Sequence, residues 1–141
     1  MELIVKKEEM ILVFKRIIDE SFNHQEFDVL EEYFDPNYIE HQFGLKPTVK
    51  GMQEDIKGLQ RSFPDFNLTI EEIVVDDDKL WARMTARGTN NGGFMGPPNS
   101  KSFEACVIDI IRFKDGKIVD HWGGPDRFAI MAQIGALPTR N

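Results

Sequence analysis

The residues best placed by type and spacing to do chemistry are two aspartates in the last hairpin of the chain. Asp115-Gly116 is the strongest short turn signal in the sequence. On either side lie strand-like runs, Ser102 to Phe113 and Lys117 to Trp122. A two-residue turn there pairs Phe113 with Ile118, Ile111 with Asp120 and Asp109 with Trp122. The alternation of the pleat then sets Val107, Asp109, Ile111, Phe113, Ile118, Asp120 and Trp122 on one mostly apolar face. Burial among aliphatic and aromatic neighbours favours the neutral form of a carboxylate and moves it toward the range of a general acid or base. Such a group typically contributes about 100- to 10,000-fold in rate, and two on one face can share a proton. The plainer reading sets Asp109 and Asp120 at a hydrated sheet margin, or pairs them with Arg83 or Arg87.

Other side chains could complete such a site. Arg83 alternates with Trp81, Thr85, Arg87 and Thr89 along a strand from Leu80 to Thr89. Turned inward, it would balance Asp109 or orient a substrate oxygen; turned outward, it is merely solvated. His41 ends the short segment from Tyr38 and is either a site residue or a surface histidine. His24 and His121 look unremarkable, one at a polar helix end and the other on the face opposite Asp120. A metal site could be imagined from His41, Asp109 and Asp120. No H-x-H or H-x-x-x-H pair supports it, so a catalytic metal is not expected. Cys106 reads as a small hydrophobe without a base beside it. No G-x-S-x-G, P-loop or dinucleotide-binding pattern occurs. The long loop Asn90 to Ser100 carries Phe94 and Met95, either as a flap over a pocket mouth or with Phe94 plugging the core.

The elements that must hold these groups follow from periodicity. Met10, Phe14, Ile17, Ile18 and Phe22 recur at helical steps. A second helix fits Glu26 to Phe34, ended by Asp35-Pro36-Asn37, and a third fits Met52 to Phe63, stopped by Pro64. From Asn67 the period changes to two. Leu68, Ile70, Ile73 and Val75 mark the first strand of an antiparallel series, and a last helix fits Asp126 to Ile134 with Gly135 as its cap. Helices followed by a meander mean an α+β fold. A curved, mostly antiparallel sheet wrapped around the N-terminal helices would form a cone with an interior pocket.

Composition narrows the function classes. The 141 residues suit one domain, 1–141, and 41% hydrophobic with 29% charged residues describes a soluble globule. A net charge of -7 argues against nucleic acid or an anionic membrane surface. No stretch approaches the roughly 18 apolar residues of a membrane span. A single cysteine and an N-terminus without signal-peptide layout make the cytoplasm the expected location. The second hairpin face, with Ile108, Ile110, Arg112, Val119 and His121, is half apolar and needs cover, which makes a homodimer the expectation. The aromatic residues, 11% of the chain, exceed what a minimal core needs. Phe14, Phe22 and Phe63 fall on core stripes, whereas Trp81, Phe94, Phe113 and Trp122 fall on the expected pocket wall or flap.

Together Gly88-Thr89, Gly93-Phe94-Met95-Gly96, Ile108 to Phe113, Asp115 to Trp122 and Gln133 to Pro138 resemble the SnoaL-like polyketide cyclases, or ester cyclases, of the nuclear transport factor 2-like superfamily. The resemblance implies a conical α+β barrel, commonly dimeric, with an apolar pocket and no cofactor. It implies that Asp120 is the acid/base of an intramolecular aldol ring closure, with His41 and Arg83 at matching site positions. Asn90 and Asp109 stand where relatives often have histidine, which is a departure from the family pattern. The expected function is therefore acid/base catalysis on a small, largely apolar carbonyl compound. Asp120 would take the proton, Asp109, His41 or Arg83 would steady the enolate, and Trp81, Trp122, Ile111, Phe113, Phe94 and Met95 would shape the pocket. The alternative is a non-catalytic module of the same fold that binds a small molecule or dimerises.

Overall fold

The computed structural model describes residues 2–137, in which helices come first and the sheet follows. Helix α1, Glu2–Arg16, buries Met10, Val13 and Phe14 on the stripe marked by their spacing. It runs into a π-helical stretch, Ile17–Asn23, which widens the helix where Ile17 and Ile18 turn inward. The altered ladder is satisfied from outside. Gln60 Nε2 donates to the carbonyls of Ser21 (2.9 Å) and Phe22 (3.0 Å). Asn23 then exchanges two hydrogen bonds with the Leu68 backbone, at 2.8 and 2.9 Å, tying the helix end to the sheet.

Helix α2, Asp28–Tyr33, is shorter than expected, because strand β1, Phe34–Glu40, starts at once. Pro36 lacks an N–H but sits inside a register shift on an edge strand, where the sheet needs no bond from it. Helix α3, Val49–Ser62, begins earlier than its apolar stripe because the Thr48 hydroxyl caps it, accepting from Gly51 N at 3.0 Å. Strands β2 (Asn67–Asp76), β3 (Lys79–Thr89), β4 (Ser102–Lys114) and β5 (Lys117–Pro125) follow. Helix α4, Arg127–Gln133, is capped by Asp126 and released at Gly135, whose φ is +74°.

The sheet order is β1-β5-β4-β3-β2, with β1 parallel to β5 and the other pairs antiparallel. It is curved but unclosed, so the cone is completed by helices rather than by a barrel seam. The Asp115-Gly116 turn forms as read, both residues having positive φ (52° and 77°). Phe113 pairs with Ile118, but the next pair is Arg112 with Asp120. Val119 is therefore an extra residue, and this bulge exchanges the faces of everything after it on β5. His121 pairs with the inward-facing Ile111, and Asp109 pairs with Gly123. Asp120 and Trp122 move to the outer face beside Arg112 and Ile110. On β3 the inward set is Leu80, Ala82, Met84 and Ala86; Trp81, Arg83 and Arg87 are exposed on the other side. No helix among the described residues is long and apolar enough to cross a membrane.

Candidate active site

The π-helical stretch, α3, α4 and the concave face of the sheet enclose a cavity of about 690 Å³. Most of its wall is apolar, supplied by residues such as Phe14, Ile18, Phe22, Ile56, Phe63 and Ile111. Into this wall project Glu40 from β1, Asp109 from β4 and His121 from β5. These three form one connected unit. The His121 ring lies 3.0 Å from Asp109 Oδ1 through Nε2 and 2.6 Å from Glu40 Oε2 through Nδ1. Burial alone would lower the imidazole pKa, but hydrogen bonds to Asp109 and Glu40 outweigh it and push the value up to about 10. At neutral pH His121 is thus an imidazolium donating from both nitrogens. The Glu40 side chain is almost sealed, 2% exposed, and also accepts from the Gln42 backbone N–H at 3.1 Å. Burial, reinforced by Glu40, raises the pKa of the neighbouring Tyr38 hydroxyl, which stays protonated.

This arrangement aims one carboxylate at an apolar chamber. Asp109 is held through Oδ1 by a cation that is itself held by Glu40, while its side chain retains 14% exposure. A carboxylate so oriented can accept a proton from a bound molecule and return it within the same chamber.

The SnoaL-like polyketide cyclase pattern matches residues 13–134. The chain belongs to this family. Nogalonic acid methyl ester cyclase from Streptomyces nogalater is 25% identical over 121 residues, covering 82% of this chain and 90% of that protein. The aklanonic acid methyl ester cyclase DauD from Streptomyces sp. (strain C5) is 29% identical over 113 residues, covering 76% of this chain and 67% of that protein. The structure of TsrD from Streptomyces laurentii superimposes with a TM-score of 0.83 at 27% identity, covering 92% of this chain and 97% of that one.

In this SnoaL-like chain, the expected site residues divide between two faces of the sheet. Asp109 and Ile111 line the cavity, as do Phe94 and Met95. Phe113 is buried in the core beside the hairpin turn rather than on the cavity wall. Asp120, placed inward by simple alternation, lies on the outer face. Its Oδ1 accepts from His41 Nε2 (2.9 Å), and its Oδ2 accepts from Arg112 Nε (2.7 Å) and Nη2 (2.6 Å). Burial would raise its pKa, yet hydrogen bonds from His41 and Arg112 hold it below the usual carboxylate range. His41 goes with it, stacked on Trp122 at 4.5 Å with the ring planes 6° apart. Trp122 is thereby removed from the pocket wall, as is the half-exposed Trp81. Arg83 is paired with Glu72 at 2.8 Å on the outside and orients nothing in the cavity.

The aromatic residues are redistributed in the same way. Phe14, Phe22 and Phe63, read as plain core, line the cavity, whereas both tryptophans decorate the outer face. The Asn90 to Ser100 loop combines both readings made of it. Phe94 packs on Phe63 with centroids 5.2 Å apart while facing the cavity, and Met95 is 68% exposed at its rim. Asn90 organises the loop: buried, it bonds Asn99 Oδ1 through Nδ2 (3.1 Å) and accepts from Gly93 N (3.0 Å). The residues that sequence reasoning missed are His121, Glu40, Gln42 and Arg127. A signal did exist for the first: Ile118-Val119-Asp120-His121 places two apolar and then two polar residues in succession, which strict alternation cannot accommodate on either face.

Proposed function

We propose that this chain is a cyclase of the SnoaL-like type acting on a small, mostly apolar compound with an enolisable carbonyl, with Asp109 as the acid/base. The carrying observation is that Asp109 reaches the apolar cavity while His121 and Glu40 fix its orientation. Asp109 takes a proton from carbon α to a carbonyl, breaking the C–H bond and leaving an enolate. The nucleophilic carbon attacks a second carbonyl of the same molecule, closing a ring through a new C–C bond. The alkoxide so formed takes the proton back from Asp109, so the sum is an isomerisation that consumes no cofactor. His121, as a fixed cation, stabilises negative charge in the chamber without giving up its proton. Return of the proton to a different carbon would give double-bond isomerisation from the same start. The names of the Streptomyces relatives, ester cyclases both, support ring closure as the first reaction to test.

The test is turnover of enolisable diketones and keto esters, followed by exchange of the α-hydrogens in D2O. Asp109→Asn lowers turnover by roughly 100- to 10,000-fold. Asp120→Asn leaves turnover per folded molecule unchanged and instead lowers stability by about 2 kcal/mol, because two charge-assisted hydrogen bonds lose their acceptor. Full activity in Asp109→Asn would sink the assignment and favour a non-catalytic ligand-binding module.

A homodimer through the outer face of the sheet is part of the same proposal. Val74, Trp81, Ile110 and Trp122 stand opposite one another across β2, β3, β4 and β5, with Ile108 and Ile39 exposed nearby. A second copy would cover this ribbon.

A further inference from the structure

Two polar groupings of different character line the cavity, one more buried and the other exposed. The more buried one is Glu40–His121–Asp109, carried by β1, β4 and β5. At the rim stands Arg127, the first residue of α4, which lines the cavity together with Gln42, Gly44 and Met131. Its guanidinium lies across Gly44: a Cβ built there would meet Nη1 at 3.2 Å and Nη2 at 3.7 Å. Gly44 has φ +87°, a conformation suited to glycine, and a Cβ there would press on the guanidinium, which would have to give by a few tenths of an ångström. Among the described residues no carboxylate lies within 4.0 Å of Arg127 or of Arg61, although Arg16, Arg83, Arg87 and Arg112 each have one.

We infer that Arg127 is a specificity-determining residue that takes a carboxylate, or an equally acidic oxygen, carried by an otherwise apolar substrate. This rests on the proposed reaction and names the substrate class more closely. A guanidinium offers a planar fork of donors matched to a carboxylate. The more buried cluster opposes the same group: two carboxylates around one imidazolium leave a net negative charge there. An anionic handle is therefore drawn to the rim and repelled from that cluster, which directs the apolar, carbonyl-bearing part of the molecule toward Asp109. The handle anchors the substrate; the ketone elsewhere in the molecule acidifies the α-hydrogen. Asp55, which also lines the cavity, accepts from Lys46 N at 3.0 Å and is turned to the loop before α3.

The test is binding, which does not depend on turnover. 2-Naphthylacetate and its methyl ester are titrated calorimetrically into the full-length protein and into Arg127→Met. Wild type is expected to bind the acid roughly tenfold more tightly than the ester. Arg127→Met removes that preference and leaves ester affinity unchanged. Equal binding of acid and ester by wild type, no binding of either, or an acid preference that survives Arg127→Met would overturn the inference. The two proposals fail separately. A ratio that depends on Arg127 beside an Asp109→Asn variant with full turnover refutes only the base. Loss of turnover in Asp109→Asn beside a ratio indifferent to Arg127 refutes only the handle.

Discussion

Asp109 and Asp120 lie on the two strands of one hairpin, and their surroundings give them opposite roles. Asp120 accepts from Arg112 Nε and Nη2 and from His41, so three hydrogen bonds hold it and the Arg112 guanidinium balances its charge on the outer face. Asp109 has one bonded oxygen and an apolar chamber in front of it. His121 decides how the second site responds to pH. Its folded pKa stands at about 10 against an ordinary 6.5. A group whose pKa rises on folding adds stability that is complete below the unfolded value and disappears as pH climbs through the folded one. Wild type should therefore lose stability progressively between about pH 6.5 and 10, and His121→Gln should flatten that part of the profile. Thermal unfolding across this window checks it, together with NMR of the ring, which should still report an imidazolium at pH 9. A ring already neutral at pH 7 would contradict the assigned network.

At the scale of elements, the decisive feature is one residue, Val119. Without its bulge, β5 would place Asp120 and Trp122 inside and His121 outside; with it, the Glu40–His121–Asp109 cluster is assembled from three strands. The parallel pairing of β1 completes the unit, since Glu40 pairs with His121 and Ile39 with Asp120. A second element-level device is the loop between β3 and β4. The Asn90 carbonyl accepts from both Asn99 N and Ser100 N at 3.0 Å, and Asn99 Nδ2 reaches the Ile134 carbonyl at 2.7 Å. The loop that carries Phe94 and Met95 is thereby fastened to the end of α4. Asn90→Ala removes the side-chain bonds to Asn99 and Gly93 and should cost about 2 kcal/mol. Limited proteolysis should then cut within 91–100 faster than in wild type, and an unchanged cleavage rate would show that Asn90 does not hold the loop.

At the scale of the whole molecule, the open sheet separates two environments. The concave face and helices enclose the apolar cavity, while the outer face carries exposed aromatic and aliphatic residues beside paired charges. If a second copy covers the outer face, Trp81→Glu would place a charge in the centre of that contact and split the dimer. Sedimentation velocity at micromolar concentration should show the wild type at twice the monomer mass and the variant at one. A monomeric wild type would refute the proposed assembly.

The helix stripes, the change to period two at Asn67, the Asp115-Gly116 turn and the α+β class were all legible in the sequence. Each depends on contacts between residues near one another along the chain. The resemblance in the hairpin and loop was legible for the same reason, and Asp109 was already marked as an inward carboxylate. The face of Asp120, the partners of His121 and the position of Arg127 were not. The bulge at Val119 arises where β5 must satisfy β4 on one side and β1 on the other, and β1 lies far away in sequence. Local alternation breaks between Ile118 and His121, but the break alone does not say which of the residues beyond it face the cavity. The sequence alone therefore determined which elements form and which residue types could act. Tertiary structure decided which of them share a cavity, because one extra residue in a strand reverses every side chain beyond it.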